Sequence, residues 1–145
     1  MKRHDSLVPL SRFHRSVLFL ALISKKNAPP VKGYPTTVIE KKNYALSFYE
    51  HKLETHFQFE EEKLLPNIRG KSKELDDLTD EIVRERLELR KFFEALRYGD
   101  NPEAELNNLG VALEKHIRKE ERQLFQMIQR TLTPQELNQL ILIYE

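Results

Sequence analysis

One segment of this 145-residue chain is written twice. LETHFQFEEEKLL, from Leu53, and LEKHIRKEERQLF, from Leu113, agree without a gap at Leu, Glu, His, Glu, Glu and Leu. Both contain L-x-x-H-x-x-x-E-x-x-x-L, a spacing that suits a helix with one buried face. Residues four apart on a helix share a face, with Cβ atoms about 5–6 Å apart. His56 with Glu60 and His116 with Glu120 therefore each form a preset chelating pair, and the flanking leucines mark their face as the inner one. An isolated carboxylate is costly to bury, so Glu60 and Glu120 at core positions need a compensating cation, for which a metal ion is the first candidate.

The remainder of the chain reads as further helices separated by clear breaks. Helix 1 is expected from Ser11 as N-cap, just after Pro9, to Lys26, because Leu10, His14, Val17, Leu18 and Ala21 fall on one face. Pro29, Pro30, Gly33 and Pro35 then impose a connection. Thr37 with Glu40 forms a capping box that opens helix 2, whose stripe of Ala45, Tyr49, Leu53, His56, Glu60 and Leu64 runs to Pro66. Helix 3 follows Ser72 and ends before Gly99, carrying Leu75, Leu78, Ile82, Leu89, Phe92, Phe93 and Leu96. Asn101 caps helix 4 with Pro102 at its first position, and Leu106, Leu109, Leu113, His116, Glu120, Leu124 and Met127 form its inner face. A second capping box, Thr133 with Glu136, starts a short last helix.

Residues 1–145 are thus expected to form a single all-α domain, with helices over about 11–26, 37–66, 72–98, 102–131 and 134–144. Short connections favour an antiparallel up-down-up-down four-helix bundle, with the C-terminal helix over one end. Only four glycines and a 32% charged share agree with long solvated helices rather than turn-rich β structure.

Charge and composition narrow the partners. Acids and bases are interspersed to a net +1, with no basic block suited to nucleic acid. No apolar run reaches the roughly 18 residues of a membrane span, so a cytoplasmic, soluble protein is expected. The chain has no cysteine, which excludes disulfides, thiolate ligands and Fe–S clusters and leaves nitrogen and oxygen donors for any metal. There is no nucleophile elbow, P-loop or dinucleotide fingerprint.

His14 also falls at a core position, between Leu10 and Val17. One inward histidine is most often a core residue with a hydrogen-bond partner. Three of them with two inward glutamates, from three helices, match the ligand set of non-haem iron, with manganese or zinc as alternatives.

The stretches HDSLVPLSRFHRSVLFLA, HFQFEEEKLLP and LEKHIRKEERQLF resemble the helix 1, helix 2 and helix 4 signatures of the hemerythrin-like, or HHE cation-binding, family. The resemblance spans most of the chain. It implies a bundle with two irons bridged by carboxylates at its centre, and functions ranging over O2 binding, sensing of O2 or iron, and iron or nitric oxide handling. By motif position it implies His14, His56, Glu60, His116 and Glu120 as ligands, with Glu60 and Glu120 bridging.

Two departures stand out. Arg15 occupies a position where the family often has a second histidine, and on helix 3 Glu85 is followed by Arg86 where a histidine is usual. The helical stripe can be drawn through Leu78, Ile82, Glu85, Leu89 and Phe92, or through Ile82, Arg86, Leu89 and Phe93. An inward Glu85 would serve as a substitute ligand and keep two metals feasible. An inward Arg86 would pair with Glu60 or Glu120 and leave one metal or none. Motif alignment favours Arg86, and the bland alternative has it reaching solvent.

Other residues read as ordinary packing or surface. Glu61, Glu62 and Glu121 suit a solvated face, His4 a solvated terminus, and His51 a face away from His56. Phe57, Phe59, Phe92, Phe93 and Phe125 suit packing, as do Tyr44 and Tyr49. The leading expectation is a metal-binding protein that stores, senses or delivers, taking a small ligand such as O2 or NO without turning over an organic substrate. An iron-dependent oxidase or NO-detoxifying enzyme, and a metal-free interaction module, are the alternatives.

Overall fold

The breaks in the sequence become the ends of the helices. In the computed structural model, which describes residues 2–145, α1 spans Val8–Ser24, α2 residues 38–68, α3 Lys73–Tyr98, α4 residues 102–131 and α5 residues 134–144. They form an all-α, antiparallel up-down-up-down bundle in which α5 covers one end, and there is no strand among the described residues. Both capping boxes form, Thr37 with Glu40 and Thr133 with Glu136. Ser72 and Asn101 accept from Leu75 N and Ala104 N at the heads of α3 and α4.

The first helix departs from the expected span. It starts at Val8, one turn before Ser11, because Pro9 sits in the opening turn, where a missing N–H costs no helical hydrogen bond. The Ser11 amide donates to Leu7 O, and its hydroxyl is used elsewhere. The helix also stops at Ser24, two residues before Lys26. Similarly, Pro66 does not end α2, which continues to Ile68.

Wide turns with π-type hydrogen bonding interrupt α2 at Tyr49–Leu53 and Glu60–Leu64, and α4 at Glu120–Leu124. For the latter two the cause is the spacing of the buried residues. His56, Glu60, Leu64 and Ile68 are all buried at strict intervals of four, as are His116, Glu120, Leu124 and Ile128. At 3.6 residues per turn each such step overshoots by about 40°, so three steps would carry the last residue about 120° off the core. One wider turn absorbs the excess, and such turns are common at functional sites. Glu60 and Glu120 each open one.

The apolar core is divided into two clusters. One gathers Leu10, Leu64, Ile82 and Leu124 with the α5 residues Leu137 and Leu140. The other gathers Val17, Phe57, Leu89 and Ile117. Between them every long helix contributes polar residues to one buried layer: His14 from α1, His56 and Glu60 from α2, Arg86 from α3, and His116 and Glu120 from α4. Close approach of α4 to α1 depends on Gly110, where a Cβ would lie 2.7 Å from the Ala21 carbonyl oxygen. Among the described residues no helix is long and apolar enough to cross a membrane.

Candidate metal centre

Glu60 and Glu120 are fully enclosed, and each turns its two oxygens in different directions. Glu60 Oε1 and Glu120 Oε2 point to the imidazoles of His14 and His56. His14 Nε2 lies 3.1 Å from Glu120 Oε2 and 3.5 Å from Glu60 Oε1, and His56 Nε2 lies 2.5 Å from Glu60 Oε1. The two Nε2 atoms are 3.2 Å apart. One donor atom from each of His14, His56, Glu60 and Glu120 fits within a 4.8 Å cluster.

Despite this proximity, Glu60 Oε1 and Glu120 Oε2 are buried atoms without a hydrogen-bond partner. Such orphans are rare in folded proteins and call for an explanation. Donors sharing one first-row ion at about 2.0–2.2 Å stand about 3 Å apart across a right angle, close to the separations seen here. The four atoms lie at the mutual spacing of donors around one ion. The residues present therefore fit a metal ion held by two nitrogens and two oxygens.

The other pair of carboxylate oxygens faces Arg86. This side chain is fully buried, and its Nη2 donates both to Glu60 Oε2 and to Glu120 Oε1, the latter at 2.7 Å. Its guanidinium lies over the Phe57 ring, 5.2 Å from the centroid. His116 joins this side, with Nε2 3.0 Å from Glu120 Oε1. Of the two helix 3 alternatives, Arg86 is the residue that enters the layer. Glu85 stays half-buried and bonds His116 Nδ1 at 3.1 Å.

A second regularity surrounds the layer. Phe13 stacks on His56 with centroids 4.3 Å apart, Glu61 lies 3.6 Å from Arg86, Glu85 bonds His116, and Glu121 bonds His14 Nδ1 at 2.7 Å. Each helix thus reaches the next through a residue beside its own inward one: the preceding residue in α1 and α3, the following residue in α2 and α4. One residue is about 100° of helix rotation, and reversing the helix reverses the direction of that rotation. The antiparallel order of the bundle produces the ring.

Glu121, expected on the solvated face, belongs to this ring. It accepts from Ser11 Oγ at 2.9 Å and pairs with Arg3 at 3.2 Å. By accepting a hydrogen bond from Nδ1–H, Glu121 leaves the lone pair of a neutral His14 on Nε2, directed at the cluster. Glu85 can fix the His116 tautomer in the same way. His4 also differs from its expected solvated state, being half-buried with Nδ1 accepting from Ser6 N. His51 is exposed and bonds Ser47 O, away from the layer. The Tyr49 hydroxyl donates to Glu54, and Tyr44 packs with Tyr34 and Phe48, so neither tyrosine reaches the site.

Burial would lower the His14 imidazole pKa, but the surrounding carboxylates of Glu120, Glu121 and Glu60 outweigh it and raise the pKa well above its ordinary value. Burial would raise Glu120, but Arg86 and His116 hold it well below the usual carboxylate range. Burial and Glu120 both push Glu60 up, and Arg86, His56 and His14 together bring it down. Both carboxylates are therefore ionised. Were every imidazole neutral, two carboxylates and one guanidinium would leave the layer with one uncompensated negative charge, which favours a proton on His14 or a metal ion in its place.

A hollow of about 120 Å³ between α3 and α4 reaches His116 past Glu85, Leu89, Phe92 and Ala112. At about 30 Å³ per liquid water, it has room for a few small molecules.

A family model described as hemerythrin HHE cation binding domain matches residues 12–128. That span takes in α2 and α3 whole, most of α1 and α4, and every residue of the buried layer. No curated protein and no solved structure matches the chain significantly.

Proposed function

Because this chain belongs to the hemerythrin HHE cation-binding domain family, we propose that it binds non-haem iron through His14, His56, Glu60 and Glu120 and uses it to carry or sense a small ligand such as O2 or NO. The observation that carries this reading is the pair of buried, partnerless oxygens, Glu60 Oε1 and Glu120 Oε2, facing two imidazole nitrogens. A donor set of two nitrogens and two oxygens suits iron, with manganese and zinc as competitors. When bound, the ion supplies a Lewis-acidic centre with room in its coordination shell for a small ligand.

The chain's own residues prepare that centre. Glu121 orients His14, and Phe13 fixes the plane of His56 by stacking. Arg86 holds the far oxygens of both carboxylates, so the near oxygens stay aimed at the cluster. The apolar clusters on both sides exclude bulk water. Small dimensions and the absence of a nucleophile in the layer favour binding over turnover of an organic substrate.

A metal-free bundle is the second reading, and it too has an observation behind it: one proton on an imidazole would also cancel the excess negative charge. Elemental analysis of the purified protein, with optical spectra in air and after reduction, separates the two. Occupancy at 100 times Kd stabilises the native state by about 2.7 kcal/mol. For a chain of this size chelation should then lower Tm by about 5–10 °C. No bound metal, and no Tm rise on adding Fe(II), Mn(II) or Zn(II), would defeat the metal reading.

A further inference from the structure

We infer that the layer is built for one metal ion only, with the Arg86 guanidinium standing as a fixed second cation between Glu60, Glu120 and His116. The inference rests on the metal reading and adds the number of ions and the reason for it. Each carboxylate divides its oxygens between two positions. Glu60 Oε1 and Glu120 Oε2 face His14 and His56, whereas Glu60 Oε2 and Glu120 Oε1 face Arg86. A single guanidinium nitrogen, Nη2, donates to both of the latter, on two different helices, and so stands where a bridging ion would.

The position around Nη2 also has a nitrogen donor. His116 Nε2 is buried without a hydrogen-bond partner and lies 3.0 Å from the Glu120 oxygen that Arg86 holds. Two carboxylate oxygens and an imidazole nitrogen thus surround a spot that is filled by a side chain. A second metal there would have to displace a guanidinium that lies fully inside the protein.

Ordinary salt-bridge duty is a poor description of this arrangement. Arg normally matches a carboxylate bidentately through two nitrogens. Here Nε and Nη1 have no hydrogen-bond partner, and one nitrogen serves both carboxylates. The side chain acts as a point charge placed at the bridge. Because that charge is covalently attached, half of the layer's negative charge stays neutralised when the metal leaves, and the metal-free bundle keeps its shape.

Native mass spectrometry after loading with Fe(II), and separately with Zn(II), counts the ions. The wild type should hold one per chain, Arg86→Lys should hold one, and Arg86→His should approach two. Arg86→Gln removes the charge and shortens the side chain by two heavy atoms, so its metal-free form should melt below both the metal-free wild type and the metal-free Arg86→Lys, which keeps the charge, and show a larger metal-induced rise in Tm. Two ions per wild-type chain would overturn the inference while leaving the metal reading intact. One ion in Arg86→His, or an unchanged metal-free Tm in Arg86→Gln, would also overturn it, since the guanidinium would then neither exclude an ion nor replace its charge. No ion in any of these proteins overturns the metal reading and this inference with it.

Discussion

In α2 the repeated motif brings His56 against His14 of α1, and in α4 the same motif brings His116 to the Glu120 oxygen that Arg86 of α3 already holds. The local geometry of the two copies is alike: an i,i+4 histidine and glutamate, followed by a widened turn that begins at the glutamate. Their chemistry differs because the adjoining helix differs. A neutral imidazole from α1 adds a lone pair and leaves the charge of the carboxylates unmet, whereas a guanidinium from α3 meets it. A motif on one helix can set up a chelating pair, but its neighbour decides whether that pair has a vacancy to fill.

The strongest way to break the comparison is to remove what the two halves share. Glu120 holds Arg86 on one side and faces His14 on the other, so Glu120→Ala should abolish metal binding and at the same time leave a buried guanidinium with Glu60 as its one remaining close carboxylate. Removing one partner of a buried ion pair costs about 3–5 kcal/mol, which should appear as a lowered urea midpoint in the presence of chelator. A loss below about 1 kcal/mol would mean that the guanidinium does not depend on this carboxylate.

The two histidines offer the next test. His56→Ala removes a donor from the four-atom cluster and should weaken metal binding by more than 100-fold, or about 2.7 kcal/mol. His116→Ala, on the Arg86 side, should change it by less than tenfold, or about 1.4 kcal/mol. Competition titration with a chromophoric chelator measures both. Equal losses would place His116 among the direct ligands, as the repeat and the family motif alone imply, and would erase the difference between the two copies.

Most of the fold was legible because its punctuation is local. Two capping boxes, Asn101 before Pro102, and the Pro29 to Pro35 connection each act within a few residues, and the boundaries fall near them. The repeat was legible for the same reason. The orientation of α3 was not, since Glu85 and Arg86 both fit a three-and-four spacing and differ by only one residue of rotation. Packing against α2 and α4 settles it in favour of Arg86. The widened turns leave a trace in the runs of four, His56 to Ile68 and His116 to Ile128, which cannot stay on one face of a regular helix. Glu121 had no such trace, because its partner His14 lies 107 positions away on another helix.

The smallest effect separates the residues that follow the two glutamates. Glu61 and Glu121 occupy equivalent places in the repeat, yet Glu61 faces Arg90 at 3.5 Å and Arg86 at 3.6 Å, and Glu121 faces His14 at 2.7 Å. A carboxylate on the far nitrogen of a ligating imidazole fixes its tautomer and strengthens its basicity, and losing such a partner typically costs about 10–100-fold in metal affinity. Glu121→Ala should show a loss in that range. Glu61→Ala removes only partly exposed ion pairs, so it should leave affinity unchanged and alter stability by no more than about 0.5 kcal/mol. Glu121→Gln sharpens the contrast: its side-chain oxygen can still accept from His14 Nδ1 but carries no charge, so it should recover part of what Ala loses. If Glu61→Ala and Glu121→Ala weaken binding equally, the contact between Glu121 and His14 does not orient a ligand, and the two copies of the repeat differ only in the cation beside them.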